Sequence, residues 1–592
     1  MTLLDASFGR PGHGPRPPTH PDEVVRLDGD ARRAIETGRT RMLVAGALFT
    51  VAFLVIAARL VAVALIQDGA EPRVAAAAPS ELAVERADIL DRNGVVLATS
   101  LSTASLYANP HQVTDAEEAA QRLVQVLPDL SEAELAAKLG SDHAFVWLKR
   151  NLTPRQQYAV NRLGIPGLYF QAEERRVYPQ GALVAHVVGF TDIDNHGLAG
   201  IEQSFDEVLR DGHKPVQLSI DIRLQNLLRD ELTRAMTEYN GIGAAGLVMD
   251  CRTGELLAMV SLPDFDPNAV GEAPADARFN RATLGVYEMG STFKIFNTAM
   301  ALDNGIVHMS DRFDASQPIH IGRFTISDFH GQHRWLTVPE IFMYSSNIGS
   351  ARMAVESGAT LQKSFFERLG MFRPASIELP EVGQPHYPAT WRLVNTMTIA
   401  FGHGMSVSPL HLLTGVSAII DGGIMRPATL IRRDGGPVGG ERLISARTSK
   451  QLRDLMRLVV QAGTGTQANV PGYLVGGKTG TAEKQVGRGY AQNARIASFV
   501  AAFPMTDPRY VILAMVDEPK PNATSHGYAT GGWVVAPAIS RFIKRMAPLV
   551  GRSIARMAPL LGVDPIDESA PEIRRAIVID TPGGSIKKIA AN

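Results

Sequence analysis

The chain has 592 residues, more than one hydrophobic core accommodates, so two or three domains with tails are expected. A formal net charge of -1 gives no global basic field, which argues against nucleic acid as a partner. The one cysteine, Cys251, excludes an internal disulfide and a cysteine-based metal knuckle.

Residues 1–41 contain Pro11, Pro15, Pro17, Pro18 and Pro21 and few large apolar side chains, which predicts a disordered tail. Met42–Ile66 is mostly apolar and carries no charge except Arg59. Twenty-five helical residues extend about 37 Å, more than the ~30 Å hydrocarbon layer, so one transmembrane helix is expected. Arg59 lies near the outer end, where its long stem lets the guanidinium snorkel. The run is too long, and starts too far in, for a cleaved signal peptide. Arg32, Arg33, Arg39 and Arg41 precede it and only Arg73 closely follows, which places the N-terminus in the cytoplasm and the bulk of the chain outside.

Ala70–Ser80 is alanine-rich and reads as a stalk. Residues 67–215 form a mixed α/β region without a catalytic constellation. Helices are predicted over Ala116–Leu127 and Ser131–Leu139, and Asp91-Arg92-Asn93-Gly94 marks a turn. Residues 216–548 change pattern. Ile222–Met236 has helical periodicity. Ala244–Met249 and Glu255–Val260 read as a hairpin, and Ile496–Phe503 and Tyr510–Val516 as two late strands. A long helical stretch separates the pairs. The expected fold class is α/β of the α+β type, an antiparallel sheet covered by helices. Residues 549–592 form a tail with no assigned function. Arg545-Met546-Ala547-Pro548-Leu549 is echoed by Arg556-Met557-Ala558-Pro559-Leu560, too short a pair for a repeat architecture.

Three short motifs occur in order: Ser291-Thr292-Phe293-Lys294, Ser345-Ser346-Asn347 and Lys478-Thr479-Gly480-Thr481. Ser291 and Lys294 are three apart on an expected helix, so they share a face. A serine hydroxyl attacks well only when a neighbour takes its proton. A lysine does so once desolvation and a second cation, here Lys478, lower its pKa. The helix N-terminus favours developing negative charge. Each motif alone is weak. Ser585-Ile586-Lys587-Lys588 repeats S-x-x-K in the polar tail, Ser345-Ser346-Asn347 alone reads as a cap or turn, and Lys478-Thr479-Gly480 alone as a strand end. The ordered set carries the inference, because such a set marks penicillin-binding proteins and serine β-lactamases. His186, His330, His333 and His403 lack a metal spacing, so no metal and no cofactor is expected. Asp264, Asp266 and Glu288 read as loop or cap residues, and Cys251 as an incidental thiol in a hairpin turn.

On these motifs the sequence resembles the class B penicillin-binding proteins, and most the septal cell-division transpeptidase, the penicillin-binding protein 3 type. Further stretches carry the resemblance: Arg86–Gly94, Arg176-Val177-Tyr178-Pro179, His186–Thr191, Gly197–Glu202 and Gly476–Ala482. Asn347 at the third position of the second motif is similar to the division branch rather than the elongation branch. Ala87 and Met289 stand where the family usually has glycine and proline. The resemblance implies a serine β-lactamase-like transpeptidase domain on an extended, dimerisation-type pedestal. It implies that Ser291 attacks the penultimate D-alanine carbonyl of a stem peptide, Lys294 accepts its proton, Ser345 relays a proton to the leaving D-alanine and Asn347 holds the substrate amide. Lys478 would bias the field and Thr479 and Thr481 would bind the terminal carboxylate, with Gly480 between them on the substrate-binding side and the N–H groups of Ser291 and Thr481 as oxyanion hole. It also implies peptidoglycan stem peptides and β-lactams as ligands, and a SEDS-type lipid II polymerase and other divisome proteins as membrane partners. A D,D-carboxypeptidase, an elongation-type transpeptidase, and a scaffold or β-lactam sensor are the rival readings.

Overall fold

The computed structural model describes residues 42–59 and 85–550, apart from 213, 323, 487 and 488. It divides into two units, one ending at Ala83 and one beginning at Val84. In the first, α1 (Met42–Arg59) is long and apolar enough to cross a membrane. Its Leu43, Phe49, Phe53 and Ile56 side chains are all exposed, as a helix that meets lipid requires. The expected extension to Ile66, the tail 1–41, the stalk, the second S-x-x-K and the second copy of the tail echo lie outside the described residues.

The second unit begins with a five-stranded sheet: β1 (Ile89–Leu90), β2 (Val96–Ala108), β3 (Val146–Leu152), β4 (Leu168–Val177) and β5 (Val216–Gln217). β2 pairs antiparallel with β1, β3 and β4, while β1 and β5 run parallel. The sheet takes in β5, so it reaches just past the boundary expected at residue 215. Helices α2 (Ala116–Val126), α3 (Glu132–Leu139) and α4 (Pro154–Asn161) cover one face. Leu106, Leu123, Leu135, Leu148 and Leu152 form the core between them. The first two helices match the predicted positions because their starts are chemically marked. Asp115 caps α2 by accepting from the Glu117 and Glu118 N–H groups, and Ser131 stands at the N-cap of α3. The Asp91–Gly94 turn forms because the Asp91 carboxylate accepts from the N–H groups of Asn93 and Val95 and Gly94 takes a left-handed φ of 85°.

The pedestal motifs converge on one buried charge cluster. Arg86 Nε and Arg176 Nε each donate to Glu202, both at 2.7 Å, and Arg86 Nη1 reaches Asp206 at 2.7 Å. Gly189 and Gly200 cross there: a Cβ on Gly189 would lie 1.9 Å from the Ala199 carbonyl oxygen. Only residues without a Cβ permit that crossing, which accounts for two motif glycines. Ala87 has no positive φ, so alanine fits its place.

The larger sheet comprises β6 (Gly243–Asp250), β7 (Leu256–Leu262), β8 (Gly476–Val486), β9 (Gly489–Phe503) and β10 (Tyr510–Asp517), ordered β8-β9-β10-β6-β7 and antiparallel throughout. β6, β7 and β10 are buried along their whole length, so they read as continuous apolar runs. Their residues nevertheless alternate between two cores. Ala244, Val248, Ile512 and Ala514 face α5 (Ile222–Glu238) and the C-terminal α11 (Ala536–Met546). Leu247, Met249, Leu513 and Met515 face the helical layer of α6 (Lys294–Asp303), α7 (Val338–Tyr344), α8 (Asn347–Ser357), α9 (Pro409–Ile420) and α10 (Ala446–Ala462). Cys251 is buried in the β6–β7 turn, its thiol donating to the Pro508 carbonyl at 3.3 Å.

Candidate active site

The site lies between the helical layer and β8, the edge strand of the large sheet. Ser291 sits in a tight 3-10 turn, Gly290–Phe293, which runs into α6 at Lys294. The expected α-helical face therefore starts one turn late. The cause is crowding of the backbone. Gly290 has a φ of 55°, its N–H donates to the Gly402 carbonyl at 3.2 Å, and a Cβ on it would lie 2.5 Å from the Thr481 carbonyl oxygen. This packing brings the backbone around Ser291 beside that of Thr481.

Ser345 ends α7 in the left-handed conformation, φ 59° and ψ 42°, and Ser346 caps α8. The second motif is therefore both the helix boundary its composition suggests and part of the site. Asp328, which the sequence reading did not single out, fixes it. Its carboxylate accepts from Ser346 Oγ at 2.7 Å, Asn347 N at 2.5 Å and Ile348 N at 3.0 Å. A carboxylate on the first N–H groups of a helix is favoured by the helix dipole. No local spacing announces it, because it stands almost twenty residues upstream.

The three motifs meet at two buried amines. Lys294 Nζ lies 2.9 Å from Ser291 Oγ, 2.6 Å from the Ser345 carbonyl, 3.0 Å from Ser345 Oγ and 2.8 Å from Asn347 Oδ1. Lys478 Nζ lies 2.8 Å from Ser345 Oγ and 3.2 Å from the Thr479 carbonyl. Both side chains are fully buried, and neither has an ion-pair partner among the described residues. Burial, and secondarily the charge of Lys478, pushes the Lys294 amine well below its ordinary value, while Asp328 pulls it partly back. Burial brings Lys478 down to about 7. A neutral amine has two hydrogens and one lone pair. The Ser345 carbonyl and Asn347 Oδ1 can only accept, so they take the hydrogens and leave the lone pair facing the two hydroxyls. The arrangement suits removal of a proton from Ser291.

The remaining residues of the third motif lie along β8. Thr479 Oγ1 pairs with Thr464 Oγ1 at 2.8 Å, and Thr481 Oγ1 accepts from Gly531 N at 3.3 Å. A Cβ on Gly480 would lie 2.8 Å from the Met289 carbonyl oxygen, so glycine lets β8 lie this close to the segment before Ser291. Asp264 pairs with Arg229 and Asp266 caps a short 3-10 helix, as loop or cap residues would. Glu288 does neither. Its carboxylate accepts from Gly404 N at 2.8 Å and Tyr490 Oη at 3.2 Å, and burial raises its pKa to about 7 against those two bonds. His403 is held neutral, pushed down to about 4 by burial and then by Lys294.

Comparison with known proteins identifies the family. Residues 244–542 match the family model described as the penicillin binding protein transpeptidase domain, and residues 81–226 the penicillin-binding protein dimerisation domain. A probable peptidoglycan D,D-transpeptidase FtsI of Caulobacter vibrioides is 43% identical over 78% of this chain and 81% of its own. A probable peptidoglycan D,D-transpeptidase PenA of Neisseria meningitidis is 34% identical over 78% and 84%. The fold is shared with penicillin binding protein 3 of Mycobacterium tuberculosis, at a TM-score of 0.62 and 24% identity, covering 79% of this chain and 96% of that one. With both domains matched in order and most of each relative covered, the chain belongs to the class B penicillin-binding protein transpeptidases.

Proposed function

We propose that the chain is a division-type peptidoglycan D,D-transpeptidase that works through a Ser291 acyl-enzyme. The observation that carries this reading is the position of Lys294 Nζ, 2.9 Å from Ser291 Oγ and bonded to two groups that can only accept. Lys294 takes the Ser291 proton as Oγ attacks the penultimate D-alanine carbonyl. The N–H groups of Ser291 and Thr481 receive the oxyanion. The peptide C–N bond then breaks, and the proton passes through Ser345 to the leaving D-alanine amine. Lys478, Thr479 and Thr481 hold the terminal carboxylate, Gly480 lets the strand approach, and Asn347 holds the substrate amide. An amine from a second stem peptide attacks the ester and loses its proton to Lys294, which returns it to Ser291 Oγ as the ester C–O bond breaks. The ester conserves the energy of the broken peptide bond, so the exchange needs no external energy source. β-Lactams enter as analogues of the donor and stop at the ester.

α1 anchors the chain in the inner membrane with the N-terminus cytoplasmic and the catalytic unit periplasmic. The positive-inside asymmetry of Arg32–Arg41 supports that orientation. A SEDS-type lipid II polymerase and other divisome proteins are the partners in the same membrane, and the FtsI name of the Caulobacter relative supports the septal setting. The test is product analysis on stem-peptide donors with an acceptor amine present. Cross-linked dimer is the expected product. Free tetrapeptide acid alone would assign a D,D-carboxypeptidase instead.

A further inference from the structure

We infer that Glu288 is a positioning residue for acyl transfer: its carboxylate fastens the turn carrying Ser291 to the Gly402–Gly404 loop and, through Tyr490, to the hairpin that continues from the third motif. The inference rests on the reading above that Ser291 is acylated.

Three segments distant in sequence meet at this carboxylate. Glu288 stands three residues before Ser291. One of its oxygens accepts from the Gly404 N–H at 2.8 Å, and both lie 3.2 Å from Tyr490 Oη. The Gly402–Gly404 loop in turn supports the nucleophile turn. Gly290 N donates to the Gly402 carbonyl at 3.2 Å, and a Cβ on Gly402 would lie 2.1 Å from the Gly290 carbonyl oxygen. Tyr490 lies on β9 opposite Gln485 of β8, four residues beyond Thr481. The N–H groups proposed to receive the oxyanion, those of Ser291 and Thr481, thus belong to two separate elements. Glu288 bonds to the neighbourhood of both. An error of about 1 Å in such an arrangement costs on the order of 10²-fold in rate.

The role lies in the bonds this buried group makes, not in its charge. Glu288 is 5% exposed, and desolvation is the largest influence on it. An amide would keep both bonds, its oxygen accepting from Gly404 and its nitrogen donating to Tyr490.

The experiment measures fluorescent-penicillin capture by the full-length protein in detergent, resolving the dissociation constant of the first complex from the acylation rate constant. Wild type, Glu288→Ala, Glu288→Gln and Tyr490→Phe are compared, with thermal unfolding of each. Expected are a fall of about tenfold or more in the acylation constant of Glu288→Ala with little change in the first complex, and a fall of about threefold in Tyr490→Phe. Glu288→Gln recovers most of the rate and unfolds at the same temperature as wild type or higher. Glu288→Ala acylating within about twofold of wild type would overturn the inference. So would a loss matched by the unfolded fraction, or one that Glu288→Gln does not rescue. Capture absent in wild type itself would overturn the reading of Ser291 and this inference together, a result distinct from normal capture in wild type and Glu288→Ala alike.

Discussion

Two buried clusters of cations lie in the folded unit, and they are built on opposite plans. In the pedestal, Arg86 and Arg176 share the carboxylate of Glu202, with Asp206 beside them. In the catalytic site, Lys294 and Lys478 face hydroxyls, carbonyls and an amide, and no carboxylate touches either among the described residues. The first plan neutralises charge and holds the chain. The second makes the protonated form costly, which suits Lys294 to the base role proposed for it. Both pairs are buried, so what distinguishes the two plans is the counter-charge.

Removing the amine separates the two plans most sharply. Lys294→Ala should lower penicillin acylation by roughly 10²–10⁴-fold, the usual contribution of a positioned general base, without lowering the melting temperature. In the pedestal the pattern should reverse. Glu202→Gln leaves two guanidinium groups short of their carboxylate and should destabilise the fold by about 3–5 kcal/mol, while the folded fraction acylates normally. Thermal unfolding and titrated acylation read the two quantities. A loss of acylation per folded molecule in Glu202→Gln would break the comparison.

Much of this was legible in the sequence because the motifs are short and their order is fixed. The two strand pairs and the starts of α2 and α3 could be read from apolar runs and caps. The edge position of β8 could not, since sheet order is a long-range outcome. The 3-10 turn at Ser291 follows from its contact with Gly402 and Thr481, which no helical periodicity encodes. Asp328 and Glu288 were hidden for the same reason: each acts on backbone N–H groups far away in sequence.

The pH dependence sharpens the comparison further. Lys478 has a folded pKa of about 7 against an ordinary 10.5. Between those values the unfolded chain binds the extra proton, so stability rises with pH across that window, and Lys478→Met should raise the melting temperature at pH 7. The acylation rate should climb as Lys294 deprotonates and decline above about pH 7 as Lys478 loses its charge. The two limbs belong to the coupled pair. Removing Lys478 should also move the rising limb to higher pH, because its charge is one cause of the lowered Lys294 value. An unmoved limb would show that the lysines do not interact. A smaller effect is expected at Thr479: Thr479→Val should weaken the first penicillin complex by about fivefold, one hydrogen bond of roughly 1 kcal/mol, and leave the acylation step intact.

In the mechanism proposed above, Ser291 Oγ is the atom acylated. Intact-mass and peptide-level mass spectrometry after exposure to benzylpenicillin tests it directly, with Ser291→Ala alongside. One added penicilloyl group is expected, located on the peptide containing Ser291, with no addition to the variant. An adduct that persists in folded Ser291→Ala, or none on the folded wild type, would contradict it.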